Sequence, residues 1–380
     1  MKLIRTLLFF IVLIMRFSSF EFFSMHEMFS TAKRMMNWES CDNYWVMGDL
    51  KGLQEDLRTH LFGQPLVEKD LIYAIGAHFS KKFDQPLLLS FHGNAGVGKT
   101  YVVQFIAARM LRKGMSSIYY RSYVGSEHFP LASHTEIYKT ELENEIRSVT
   151  SKCKFSLFVF DEVHRIHGDV LDKIYSLARA SKLRSENYID MGRSISISDN
   201  RDPSSFSFQN TGGKIITDLC TIYKEQGILR KDFNLVDFEN FLIQEANNEG
   251  PILKRYFQSY LLAIGLLIPT QFFRRLFLGG LKSSALIANE CIDHFIPFLP
   301  LEREHLAACV KATMKRDNVT RIENQEDFIE SVIDAAATFE PESKKYFAKK
   351  GCKRIDQKVK FLALQRTTKQ LLDTDDRDEL

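Results

Sequence analysis

The residues best suited to chemistry are Gly93-Asn94-Ala95-Gly96-Val97-Gly98-Lys99-Thr100, which satisfy a GxxxxGK[ST] pattern at every required position. Each part has a physical task. Glycines let successive backbone N–H groups converge on phosphate oxygens, and a helix that starts at the loop's end favours negative charge. The Lys99 ammonium can reach β- and γ-phosphates, and the Thr100 hydroxyl can ligate Mg²⁺. Downstream, the apolar run Phe155-Ser156-Leu157-Phe158-Val159-Phe160 ends in Asp161-Glu162. Acids at the carboxyl end of a buried parallel strand project to where open α/β sheets bind ligands. Asp161 is therefore the expected Mg²⁺ partner, direct or through a water, and Glu162 the group that orients and deprotonates an attacking water. A third segment, Phe206-Ser207-Phe208-Gln209-Asn210-Thr211-Gly212-Gly213, reads as a further strand whose Asn210 could hold the water or the γ-phosphate. Asn-Thr-Gly-Gly is also ordinary turn chemistry. The polar stretch before it, Met191 to Ser205, carries an alternating Ser-Ile-Ser-Ile-Ser and leaves Asn200 as a competing position.

These residues need elements to place them. Leu87 to Phe91 is a short apolar strand entering the glycine loop, and Tyr101 to Arg112 has helical apolar spacing, with Gly114 to stop it. Between the two nucleotide motifs, Ile137, Tyr138, Leu142, Ile146 and Val149 form a helical stripe. Strand, phosphate loop, helix, acid-tipped strand and sensor strand in this order predict an α/β P-loop NTPase with a mostly parallel sheet flanked by helices. That large domain spans residues 49–296, after an N-terminal segment at 20–48. Beyond Pro300, helices over Leu301 to Lys315 and Phe328 to Phe339 predict a small helical lid, residues 297–365, ahead of a polar tail at 366–380. The tail should be mobile.

The 380 residues are 45% hydrophobic and 26% charged, an ordinary globular composition that excludes a disordered, collagen-like or disulfide-dense chain. With 51 basic against 48 acidic residues, no concentrated basic surface points to a nucleic-acid partner. Lys2 and Arg5 precede an apolar run from Leu7 to Met15, too short to span a bilayer and suited to a signal peptide or hydrophobic anchor over 1–19. The chain finishes Arg377-Asp378-Glu379-Leu380, similar to receptor-read retrieval signals of the endoplasmic reticulum. In that lumen Asn318-Val319-Thr320 is a glycosylation acceptor, and some of the six cysteines should pair, although spacing alone does not say which.

Several segments together resemble the torsins, Clp-type AAA+ ATPases. They are Gly52-Leu53 through Asp56-Leu57 to Leu61-Phe62-Gly63-Gln64, His128-Phe129-Pro130, the Asp161-Glu162 strand, Phe295-Ile296-Pro297-Phe298-Leu299-Pro300-Leu301-Glu302 and Lys350-Gly351-Cys352-Lys353. The resemblance covers roughly residues 41–362. It implies an ATPase of the endoplasmic reticulum and nuclear envelope lumen that binds ATP or ADP with Mg²⁺. It implies that Lys353 touches phosphates from the lid, that Cys352 pairs reversibly with Cys309, and that Cys41 and Cys153 form a second, structural disulfide. Cys220 and Cys291 have no counterpart and read as packed thiols.

The resemblance further implies partners and their absence from this chain. No arginine finger is visible, and such a cation supplies on the order of 10³–10⁵ in rate. A transmembrane activator whose lumenal domain donates the arginine would complete the site, in a homo-oligomer or a ring shared with that activator. Where many torsins carry Asn, Thr100 restores the Mg²⁺ hydroxyl. Residues 251–278 replace a short torsin connection with an apolar run and Arg274-Arg275. They read as a poorly ordered loop or a translated non-coding insertion, or else as an interfacial helix that allows peripheral membrane association. The function so implied is partner-stimulated ATP hydrolysis that remodels proteins or membrane-associated complexes. The alternative is an ATP-binding interaction switch with little turnover, while a small-molecule kinase is disfavoured by the lid and the Asp-Glu strand.

Overall fold

The computed structural model describes residues 34–79, 86–183, 195–199, 212–247, 292–319, 322 and 324–378. Five parallel strands form the central sheet in the spatial order β2-β3-β4-β1-β5, with β1 Leu87–His92, β2 Tyr120–Val124, β3 Leu157–Asp161, β4 Ile195–Asp199 and β5 His294–Pro297. Every residue of β1 is buried, as a mostly apolar central strand flanked by helices on both faces requires, and its two polar residues, Ser90 and His92, bond each other. The observed strands begin and end within one or two residues of the two apolar runs that lead to the glycine loop and to Asp161. The third strand differs. The place between β1 and β3 belongs to Ile195–Asp199, where Asp199 is in register with Asp161 and with Phe91. The expected strand, Phe206 to Gly213, lies outside the described residues except at Gly212 and Gly213, where Gly213 begins a helix instead; Asn200 and Asn210 also lie outside them.

Helices carry the crossovers. Among the described residues α1 is Leu50–His60, α2 Ile72–Phe79, α3 Lys99–Met110, α4 Thr135–Lys152, α5 Gly168–Leu183, α6 Gly213–Glu225 and α7 Leu235–Asn247. Asp49 caps α1 through a bond from the Gly52 N–H at 2.9 Å. Two bonds from Arg109 to Asp56, at 2.6 and 2.8 Å, clamp α1 onto α3. Leu142, Ile146 and Val149 of α4 are buried as their spacing implies and Tyr138 packs against them, but Ile137 is 53% exposed.

The C-terminal part is helical with one addition. α8 Arg303–Arg316, α9 Gln325–Ala336 and α10 Ile355–Asp378 pack on one another. Phe339, expected inside the second helix, instead begins the short antiparallel pair β6 Phe339–Glu340 and β7 Phe347–Ala348. Leu306, Val310, Phe328, Val332 and Val359 of this part share one hydrophobic cluster with Val102 and Ile106 of α3 and Leu53 of α1. The lid is thus seated on the large domain. Its last helix continues through residues expected to be a mobile tail, to Asp378.

Two disulfides tie distant segments. Cys41 joins Cys153, 112 residues apart, fastening the N-terminal segment to the end of α4. Cys309 of α8 joins Cys352, just ahead of α10. Cys220 is a buried free thiol whose pKa burial pushes up to about 12, and Cys291 lies outside the described residues.

Candidate active site

The phosphate loop connects β1 to α3 and demands unusual backbone at three glycines. Gly93, Gly96 and Gly98 have φ of 141°, 77° and 108°, a region that side chains with a Cβ rarely enter. Close packing reinforces the demand at Gly96, where an added Cβ would lie 2.2 Å from the Lys350 carbonyl oxygen. The Lys99 ammonium is buried and donates to the carbonyls of Gly93 at 2.7 Å and Asn94 at 3.0 Å. The lysine therefore lies along the inside of the loop, where it could meet a phosphate chain. Asn94 donates to Thr217 of α6 at 3.0 Å, fixing the loop from the opposite side. Thr100 is exposed at the start of α3, where its hydroxyl could join a cation's ligands.

The two acids sit where the strand ends. Asp161 accepts the Glu162 N–H at 2.8 Å. Glu162 adopts φ +53°, a left-handed conformation that non-glycine residues visit seldom and that recurs at functional sites. Its carboxylate accepts from the Ser126 hydroxyl at 2.5 Å and lies 3.7 Å from Arg165 Nε. Neither Ser126 nor Arg165 was expected from the sequence. Ser126 is a single polar residue beyond β2, and only the pairing of β2 with β3 shows that it faces the acid tip.

At the end of β1, His92 is fully buried, and burial followed by the Lys99 charge pushes its pKa down to about 3. The neutral ring bonds Ser90 Oγ at 2.8 Å and stacks on Phe295. Gly212 approaches the same ring, so that a Cβ there would lie 2.9 Å from His92 Nδ1, and one at Gly213 would lie 2.5 Å from Asn94 Oδ1. Asn210 therefore precedes by two residues a segment held against the phosphate loop, and Asn200 follows Asp199 as Glu162 follows Asp161.

A cavity of about 840 Å³ opens over the loop. Its floor is Ala95 to Tyr101, one wall Thr59 to Phe62, and its roof Cys309, Thr313, Arg316, Cys352 and Lys353 from the lid. The volume suits a nucleoside triphosphate. The Lys350-Gly351-Cys352-Lys353 turn is seated directly on the loop: the Cys352 N–H donates to the Gly96 carbonyl at 2.9 Å. Gly351, at φ +44°, leaves no room for a Cβ, which would lie 2.3 Å from the same oxygen. Lys353 is exposed at the rim, and Asn318 is exposed in the turn that ends α8. The glycine cradle, lysine, hydroxyl and paired acids fit a magnesium triphosphate, with Thr100 and Asp161 as the protein ligands available to the ion.

Comparison with known proteins adds relatives. Residues 35–160 match the family model "Torsin" and residues 301–362 match "Torsin-1A, C-terminal domain". A torsin-like protein of Caenorhabditis elegans is 32% identical over 85% of this chain and 80% of its own length. A torsin-like protein of Drosophila melanogaster is 30% identical over 84% of both. Torsin-3A of Rattus norvegicus is 27% identical over 85% of this chain and 72% of its own. A closed-state structure of Hsp104 with ATPγS and FITC-casein covers 90% of this chain and 50% of that one, at 16% identity and a TM-score of 0.49.

Proposed function

We propose, from the premise that this chain belongs to the torsin family, that it binds magnesium-ATP in the cavity and hydrolyses it when a partner completes the site. The observation that carries this is the Lys99 cradle roofed by the lid turn over one cavity, with the Asp161-Glu162 pair at the carboxyl end of β3 in the same parallel sheet.

In this reading the loop's N–H groups and Lys99 hold the phosphates, and Glu162 accepts the proton of the attacking water. A bound Mg²⁺ would withdraw charge from the phosphate oxygens. Asn210 or Asn200 would orient the water. Ser126 and Arg165 hold the Glu162 carboxylate in place, so the base is set before substrate arrives. Lys353 faces the phosphates from the lid and makes their presence felt there.

Among the described residues, the arginine that lines the cavity, Arg316, is engaged with Asp317 at 2.9 Å and Asp356 at 3.2 Å, and Arg165 is turned to Glu162 of its own acid tip at 3.7 Å. We therefore assign the missing cation to a membrane-bound activator with a lumenal domain, in a ring or oligomer. The work is the remodelling of proteins or membrane-associated complexes in the endoplasmic reticulum and nuclear envelope lumen. Two disulfides and the exposed Asn318 support that compartment. No helix among the described residues is long and apolar enough to cross a membrane. Phosphate release measured with and without the activator's lumenal domain tests the proposal. Turnover should be slow alone and rise at least 10³-fold with the partner. Fast turnover by the isolated chain would remove the need for a donated arginine.

A further inference from the structure

Arg230 is a charged group at the junction of the two domains whose position the phosphate chemistry does not explain. It opens a short 3₁₀ turn beyond α6, with 14% of its side chain exposed. Each of its three nitrogens donates. Nε donates to the Gly63 carbonyl at 2.8 Å, Nη2 to the Pro300 carbonyl at 2.8 Å, and Nη1 to Glu302 Oε1 at 3.3 Å. Gly63 adjoins the cavity wall, Pro300 is the crossing into the lid, and Glu302 immediately precedes α8. Lys224 also pairs with Glu302, and His305 Nδ1 accepts the Glu302 N–H at 3.1 Å.

Two arms run from this guanidinium to the phosphate loop. Along the first, Gly63 is followed by buried Gln64, whose amide donates to Leu299 O at 2.8 Å and to Val97 O at 3.2 Å. Along the second, Glu302 starts α8, α8 carries Cys309, Cys309 is bonded to Cys352, and the Cys352 N–H donates to Gly96 O at 2.9 Å. The arms end on adjacent residues, Gly96 and Val97. Each link is a hydrogen bond, a helix or a covalent bond, so displacing the lid at Glu302 strains the turn that bears Lys353.

We propose that Arg230 is a positioning residue for the nucleotide site: it clasps the lid to the cavity wall and so sets how strongly Lys353 contributes to binding of the triphosphate. The inference rests on the nucleotide reading above. Glutamine at this place would leave the Gly63 and Pro300 carbonyls without their cationic donor, and lysine would keep the charge without the fork.

The test is a double-mutant cycle on the full chain with both disulfides formed, reading MgATP affinity by calorimetry. Arg230→Gln and Lys353→Ala are each expected to weaken binding about tenfold, and the double variant by little more than either alone. A general loss of packing would not remove the Lys353 effect, so losses that multiply to about 100-fold, or wild-type affinity in Arg230→Gln, overturn the proposal. If Arg230→Gln does not fold, the cycle is run with Arg230→Lys, which retains the buried cation. Lys353→Ala must then cost less in the Arg230→Lys background than in the wild type; an equal cost overturns the proposal. No MgATP uptake by the wild type would instead sink the nucleotide reading itself, which the cycle separates from the coupling.

Discussion

At the scale of single residues, the site is a set of side chains that backbone geometry has already aimed. Glu162 shows this best, since its left-handed φ and the Ser126 bond at 2.5 Å fix the carboxylate at the strand tip. Glu162→Gln keeps the shape and removes the base. It should take up ATP with unchanged affinity and lose about 10²–10⁴ of the activator-stimulated rate, as read by calorimetry beside phosphate release. Much of this scale was legible in the sequence, because phosphate loops and acid-tipped strands are local patterns. Lys99, Thr100, Asp161 and Glu162 could be named from adjacent residues alone. Ser126 and Arg230 could not. One meets Glu162 only through strand pairing, and the other meets Gly63 across 167 positions of chain.

At the scale of elements, two features can be tested. The turn at Gly351 depends on having no Cβ, so Gly351→Ala should lift the turn from Gly96. ATP affinity should fall about tenfold or more, roughly 1.4 kcal/mol, while the melting temperature changes by only a few degrees. Calorimetry and thermal denaturation separate the two effects. The second feature is a pair of histidines kept neutral. His92 titrates at about 3 and His305 at about 4, because burial disfavours the charged ring in each. Both values lie below the unfolded 6.5. The unfolded chain therefore binds the extra protons, and the stability each ring contributes is complete above pH 6.5 and lost as pH falls through the folded value. Urea titrations should show each ring costing about 1.4 kcal/mol per pH unit between those limits, and His92→Gln should reduce the slope. Element boundaries were legible where apolar spacing was strict, as in β1 and β3. They failed where polar alternation mimicked a loop, as in β4, and where Phe339 turned from helix to a strand of two residues.

At the scale of the whole molecule, the fold is two lobes sharing one core and stapled twice. The staple from Cys41 to Cys153 closes 112 residues of chain. Its removal by paired Cys→Ser substitution should cost roughly 2–5 kcal/mol and lower the melting temperature with little effect on ATP affinity. The fold class and the lid were legible from the order of motifs. The seating of the lid was not, because it depends on a hydrophobic cluster drawn from α1, α3, α8, α9 and α10 together. The other staple has a different consequence, since Cys309 and Cys352 both line the cavity. If breaking that sulfur bridge loosens the ligand by some factor, then thermodynamic reciprocity requires the ligand to resist its reduction by the same factor. A chain saturated with nucleotide should then keep its bridge at glutathione ratios that open the empty one, which would make occupancy itself a shield against reductants.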